Sequence, residues 1–295
     1  MKKNVLILAV ATLLMVGCDK ENSTPVATPT SDEIRVEASL GGTRATLTNF
    51  EAGDKMSLYA VEYSGEVANE LQTAGNYLNN EEMVYNGTEW QSNRTLYWSE
   101  NACDFYGFYP YQPVMPMSDF LFEIEEDQSR PKSEEELGGY EASDLMWAKA
   151  ERVVREDGVV ELEFTHMLSR VVVNIERGAK YEGELPEDID VHIYNTITTA
   201  NVDWRIGSLE PYLFSGRKTI KMNRIDADSF EAIVVPQFIE RLTPLVEVTM
   251  GGIAYLLEAS VSFRPGMQHT FTVTLNTSPD QEKIEINIDG DVGNW

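Results

Sequence analysis

Three histidines, His166, His192 and His269, and two cysteines, Cys18 and Cys103, are all the imidazoles and thiols in a chain of 295 residues. A zinc hydrolase of the HExxH type needs two histidines one helical turn apart with a glutamate between them, and none of the three has that spacing. There is no CxxC pair, no GxSxG nucleophile elbow, no GxGxxG after a strand and no Walker lysine. His166 closes an alternating apolar run and reads as a packing or hydrogen-bonding residue. Asn287, Asp289 and Asp291 begin a calcium-loop pattern, but Val292 stands at the sixth position, where such a loop needs glycine for its turn. Paired carboxylates for glycoside hydrolysis carry no information here, because 49 acids place some pair within roughly 5 to 9 Å by chance. The chain reads as a non-enzyme that needs neither metal nor cofactor.

Cys18 has a chemistry of its own. Lys2 and Lys3 precede an apolar run from Val5 to Val16, which ends in Leu14-Met15-Val16-Gly17-Cys18. This is the pattern of a lipoprotein signal peptide over residues 1–17, with cleavage before Cys18 and attachment of palmitate-type acyl chains that hold the protein to a membrane. The run is too short to cross a bilayer as a mature helix. Residues 18–34 are rich in Ser, Thr and Pro without an apolar period and read as a flexible tether. With Cys18 acylated, Cys103 has no partner, so apolar burial must hold the fold. A formal charge of −26 leaves no basic surface for phosphates, which argues against nucleic acid as a partner.

The elements that must carry any function are strands. KMSLYAV at 55–61, TLYW at 95–98, DFYGFY at 104–109 and FLFEI at 120–124 are short aromatic and β-branched runs between turn residues. The acid-rich segment 125–144 predicts a long exposed loop with one helical turn, stopped by Gly138-Gly139. From Val159 to Phe164 the residues alternate, which puts Val160, Leu162 and Phe164 on one face and Glu161 and Glu163 on the other. Further runs at 189–197, 217–222, 230–235, 245–250, 253–263, 270–276 and 283–288 complete the set, with Gly251-Gly252 as a hairpin turn. No connection is a convincing amphipathic helix, so the fold class is all-β, mostly antiparallel, with two β-sandwich domains in series over 35–157 and 158–295. Trp90, Trp98, Trp147, Trp204 and Trp295, with Tyr106, Tyr109 and Tyr111, offer a sugar-stacking platform. Against that, the alternation in FYGFYPY points one face into a core and the other to a domain seam.

These pieces resemble, in order and spacing, the fimbrillin family of Bacteroides-type bacteria. The resemblance is carried by the lipobox at Cys18, Thr43-Arg44-Ala45 followed by FEAGDKMSLY at 50–59, DFYGFYPY at 104–111 and DLMWAK at 144–149. It continues through LEFTHMLSRVVVNI at 162–175, VVPQ at 234–237 and FRPGMQHTFTVTLN at 263–276. It implies two transthyretin-like antiparallel β-sandwich domains in a structural subunit of cell-surface fimbriae, as stalk, tip or accessory pilin. It also implies an arginine-specific protease that removes the first strand, with Arg44 or Arg35 as the cleavage point. An extended segment of another subunit then fills the opened groove by β-augmentation. Ile284, Ile286 and Ile288 alternate on one face before Trp295 and suit either a last core strand or a donor strand. Expected partners are other fimbrial subunits, the lipid anchor, the protease, and host protein or glycan in adhesion; the expected location is the cell surface at the outer membrane. The alternative reading is a monomeric surface lipoprotein that binds host protein or glycan through exposed aromatics such as Tyr109 and Tyr111.

Overall fold

The computed structural model describes residues 32–41, 50–113, 116–133, 136–276 and 286–295, with backbone alone at 286–289. The first sheet holds β1 (Val36–Leu40), β2 (Lys55–Ser64), β3 (Val67–Ala68), β4 (Leu78–Tyr85), β5 (Trp90–Ser92), β6 (Cys103–Tyr109), β8 (Met146–Val153) and β9 (Val160–His166). Its order is β1-β9-β8-β6-β2-β4-β5, with β3 beside the end of β2. A five-stranded sheet is formed by β10 (Ser169–Arg177), β15 (Asn223–Arg224), β16 (Ser229–Val234), β21 (Met267–Leu275) and β22 (Ile286–Asn294), in the order β15-β16-β10-β21-β22. A four-stranded sheet is formed by β11 (Asp190–Ile197), β14 (Arg217–Lys221), β18 (Pro244–Met250) and β19 (Ile253–Glu258), in the order β14-β11-β18-β19. Two small sheets join β7 (Phe120–Glu123), β12 (Thr199–Asp203) and β13 (Ser208–Pro211), and β17 (Phe238–Ile239) with β20 (Val261–Ser262). The one α-helix among the described residues is the single turn α1 (Gly139–Ser143).

Buried apolar side chains form two clusters. Met56, Leu58, Phe105, Leu162 and Phe164 belong to the first; Val171, Ile193, Trp204, Phe230 and Val246 belong to the second. Period-two alternation lets β2 and β6 serve both. Phe105 faces the first cluster while Tyr106 and Phe108 face the second, where Phe108 lies 4.6 Å from the Trp204 ring. All seven residues of β6 are consequently buried. A fully buried side chain of this size stabilises by roughly 1.5–3 kcal/mol, so a strand used on both faces anchors two cores at once. Gly107 breaks the aromatic run because a Cβ there would sit 2.6 Å from the Phe164 ring.

The structure departs from the sequence expectations at the domain division and in the segment 125–144, and it bears out a mostly antiparallel fold. The division at 157/158 falls inside the first sheet, because β9 pairs with β1 and β8; its apolar face, Val160, Leu162 and Phe164, is part of the first core. In the other direction β7 pairs with β12 and sends Phe122 into the second core. Two strand pairs, β1 with β9 and β10 with β21, are parallel. Parallel neighbours need long crossovers; the chain builds β2 to β8 between β1 and β9, and β11 to β20 between β10 and β21, where a helix would ordinarily stand. The segment 125–144 is not wholly exposed: Gln128 is fully buried. Its amide takes the Ile233 N–H at 2.7 Å and donates to the Ile233 carbonyl at 2.8 Å, acting as one residue of a neighbouring strand.

Candidate functional site

β1 is an edge strand docked from outside. The Arg35 carbonyl accepts from Val160 N–H at 2.8 Å and the Gly41 N–H donates to the Phe164 carbonyl at 2.7 Å. Odd-numbered residues of the segment therefore bond to β9, while the even-numbered ones turn their backbone groups away from it. On that far side Ile34 N–H donates to Leu96 at 2.8 Å and Trp98 N–H to Asp32 at 3.1 Å, after which β1 has no further strand neighbour. Its inward side chains cover the first core: Val36 is buried within it, and Ala38 and Leu40 pack against it. Between β1 and β5, the two terminal strands of the sheet, lies an open groove of about 810 Å³ lined by Val36, Ala38, Met83, Trp90 and Leu96. The Trp90 Nε1 donor is buried without a hydrogen-bond partner among the described residues.

β9 depends on β1. Its residues Val160 to Phe164 pair with β1 in parallel register, whereas its pairing with β8 is confined to Thr165 and His166. Withdrawing β1 bares the backbone of 160–164 together with the apolar row beneath it, an unpaired edge of the kind that templates another strand.

At the other end of the chain β22 runs antiparallel to β21 over nine residue pairs, which places Ile286 opposite Leu275 and Ile288 opposite Val273. Trp295 N–H donates to the Gly266 carbonyl at 3.1 Å, and its ring stacks on His166 with centroids 3.7 Å apart and planes 13° apart. His166 is oriented by Asp144, whose Oδ1 lies 2.8 Å from Nδ1. This stack joins the end of β9 to the end of β22, and nothing in the local sequence around either residue announces it.

Of the predicted site residues, Arg35 is exposed at the start of β1, and Cys18, Arg44 and Ile284 lie outside the described residues. Tyr106, Tyr109, Trp90 and Trp204 are buried, and none of the five tryptophans is exposed. Tyr109 therefore cannot serve as an exposed sugar platform; its ring fills the first core. Burial pushes the Cys103 thiol up to about 11, so it is a poor nucleophile at neutral pH. Among the described residues no group of three or more His, Cys, Asp or Glu side chains is placed to hold a metal ion, and no helix is long and apolar enough to cross a membrane.

An all-β chain whose first described strand docks on one edge over an apolar row has the architecture of a β-sandwich protein. The sequence profile of the fimbrillin-like family matches residues 43–295, and the chain belongs to that family. A crystal structure of a proposed cell adhesion protein from Bacteroides uniformis is 21% identical and superposes with a TM-score of 0.66 over 91% of this chain and 100% of that one. One of a proposed cell adhesion protein from Bacteroides ovatus gives 0.66 at 14% identity over 89% and 97%. A fimbrial protein from Bacteroides ovatus gives 0.53 at 18% identity over 85% of this chain and 51% of that one. At these identities the likeness concerns the fold. No curated protein matches the sequence.

Proposed function

We propose that the protein is a structural subunit of a cell-surface fimbrium, held to the outer membrane through Cys18 until an arginine-specific protease frees it, and joined to its neighbours by exchange of β1. The carrying observation is that β1 pairs along one edge only while it covers Val160, Leu162 and Phe164. Family membership supports the fimbrial part of this reading. The two arginines have different consequences. Cleavage after Arg35 leaves β1 attached to the folded body, whereas cleavage after Arg44 detaches Val36–Leu40 as part of the leaving peptide. Arg44 is therefore the cut that opens an acceptor edge, and a partner strand with an apolar residue at every second position fits it.

The test is limited digestion of the purified chain with an arginine-specific protease, comparing wild type, Arg35→Ala and Arg44→Ala. The expected result is multimers from wild type and Arg35→Ala, with amino-terminal sequencing showing a start at Ala45, and none from Arg44→Ala. Multimers from Arg44→Ala in equal yield would refute the assignment, and a folded product starting at Ala45 that stays monomeric would refute the exchange.

A further inference from the structure

We propose that β19 is a docking edge for a second copy of this chain, which lays its own β19 antiparallel alongside, about a twofold axis at Leu256. The inference goes beyond the fimbrial reading and needs neither cleavage nor the loss of β1. β19 ends the four-stranded sheet, with β18 on one side and no strand on the other among the described residues. Gly251 and Gly252, both at positive φ, make a two-residue turn that sets Met250 opposite Ile253. Such a turn is closed by a pair that exchanges both backbone hydrogen bonds, and bonded and non-bonded pairs then alternate along the ladder. Ile253, Tyr255 and Leu257 therefore bond to β18, while Ala254, Leu256 and Glu258 send their N–H and C=O groups outward. The side chains alternate too: Tyr255 and Leu257 pack against the second core, whereas Ala254 is exposed and Leu256 is 51% exposed.

This edge lacks the devices that keep strands from pairing, namely shortness, charge and breaks in the ladder. Among the terminal strands of the three larger sheets, β5 has three residues and β15 two. β14 carries Arg217, Lys218 and Lys221, and β22 carries Gly290, Asp291 and Gly293. The outer side of the segment leading into β1 is met by residues 96–98. β19 has six residues, IAYLLE, with a single charge at its end, and an exposed apolar edge of this kind templates another strand. The occupant follows from the edge itself. Outward-bonding residues must oppose one another in an antiparallel pair, and the register that engages all three sets Leu256 opposite Leu256 and Ala254 opposite Glu258 of the second copy. Tyr255 then lies beside Leu257 of the second copy and lengthens the inner apolar row. No like charges meet directly across the strands, a condition that a chain of formal charge −26 must meet to associate with itself.

The test is sedimentation velocity of the purified, undigested chain from about 1 to 300 µM, because so short a ladder falls below a standard interface and gives a weak dimer. A monomer–dimer equilibrium is expected. Amide exchange at Ala254 and Leu256 slows as concentration rises, while that at Tyr255 and Leu257, already bonded to β18, stays constant. Leu256→Lys sets two ammonium groups face to face on the axis and raises the dimer Kd at least about tenfold. Ala254→Lys meets Glu258 of the second copy and leaves the Kd equal or lowers it by up to about fivefold. Both positions are exposed, so both variants keep the fold, which thermal melting checks. A chain that stays monomeric throughout, a dimer without added protection at Ala254 and Leu256, or a Leu256→Lys dimer as tight as wild type would overturn the proposal. So would an Ala254→Lys dimer weakened as much as that of Leu256→Lys, which contradicts the register. No protease is added, so failure here leaves the exchange of β1 standing, and failure of that exchange leaves this dimer standing.

Discussion

Val36→Asp distinguishes a strand that is docked from one that is built in. Val36 is 5% exposed in the first core, on the inward face of a strand that bonds to β9 alone. Aspartate forfeits about 1.5–3 kcal/mol of apolar burial, and the carboxylate leaves with the strand instead of entering the core unpaired. At about 1.4 kcal/mol per tenfold, the docked-to-undocked ratio falls about 10- to 150-fold. Hydrogen exchange reads this directly: the amides of Glu37, Ser39 and Gly41, on the side of the strand that faces β9, lose protection by that factor. Amides in β2, β4 and β6 keep theirs, and the urea midpoint of the body barely moves. The control is Leu58→Asp, which places the same charge at a fully buried position in β2, between β4 and β6. A Val36→Asp variant whose urea midpoint drops as far as that of Leu58→Asp would refute the reasoning, because β1 would then be integral to the fold.

Three further outcomes follow from buried polar groups. Gln128→Leu strands both backbone groups of Ile233 and should cost about 2–6 kcal/mol in urea denaturation; a loss below about 1 kcal/mol would mean that water replaces the amide. Arg170→Met leaves Glu231 buried without its guanidinium and should cost about 3–5 kcal/mol, most of it returned by adding Glu231→Leu; a double variant no more stable than the single would contradict this. Burial holds the His269 imidazole below its ordinary 6.5, so the unfolded chain takes up the proton first. The resulting stability is complete above about pH 6.5 and is lost as pH falls through the folded value. His269→Gln should flatten the slope of stability against pH in that window, and an unchanged slope would remove His269 as its source.

Local pattern announced the strands better than their partners. The alternation of β9 and the Gly251-Gly252 hairpin, where both glycines have positive φ and Met250 faces Ile253, are properties of adjacent residues. The two-faced burial of FYGFYPY was likewise legible, because alternating large aromatics leave neither side free for water. The sheet that β9 joins was not legible, since Val160, Leu162 and Phe164 alternate identically whichever core receives them. β4, read as LNNEEMVY, and β12, read as TANVD, carry too many polar residues to stand out by periodicity, and their position against long apolar neighbours makes them strands. Gln128 escaped notice because it lies among acids and is buried by two hydrogen bonds to a residue more than a hundred positions away.

The two ends of the folded body differ in how much holds them, and that difference gives the proposed exchange a direction. β1 is secured by five parallel pairs to β9 and by a short antiparallel contact at Glu33 and Tyr97. β22 is secured by nine antiparallel pairs, by the Trp295 amide and by the Trp295 ring on His166. Each hydrogen bond contributes only about 0.5–1.5 kcal/mol net, so the longer ladder and the aromatic stack together make β22 the costlier strand to withdraw. What is left behind differs as well. Loss of β22 leaves β21 still paired with β10 along its other edge, whereas loss of β1 leaves 160–164 of β9 without a regular strand partner. The strand that is easier to remove is thus also the one whose absence most demands a replacement. Under the proposed exchange, a subunit with this asymmetry would give up β1 and keep β22.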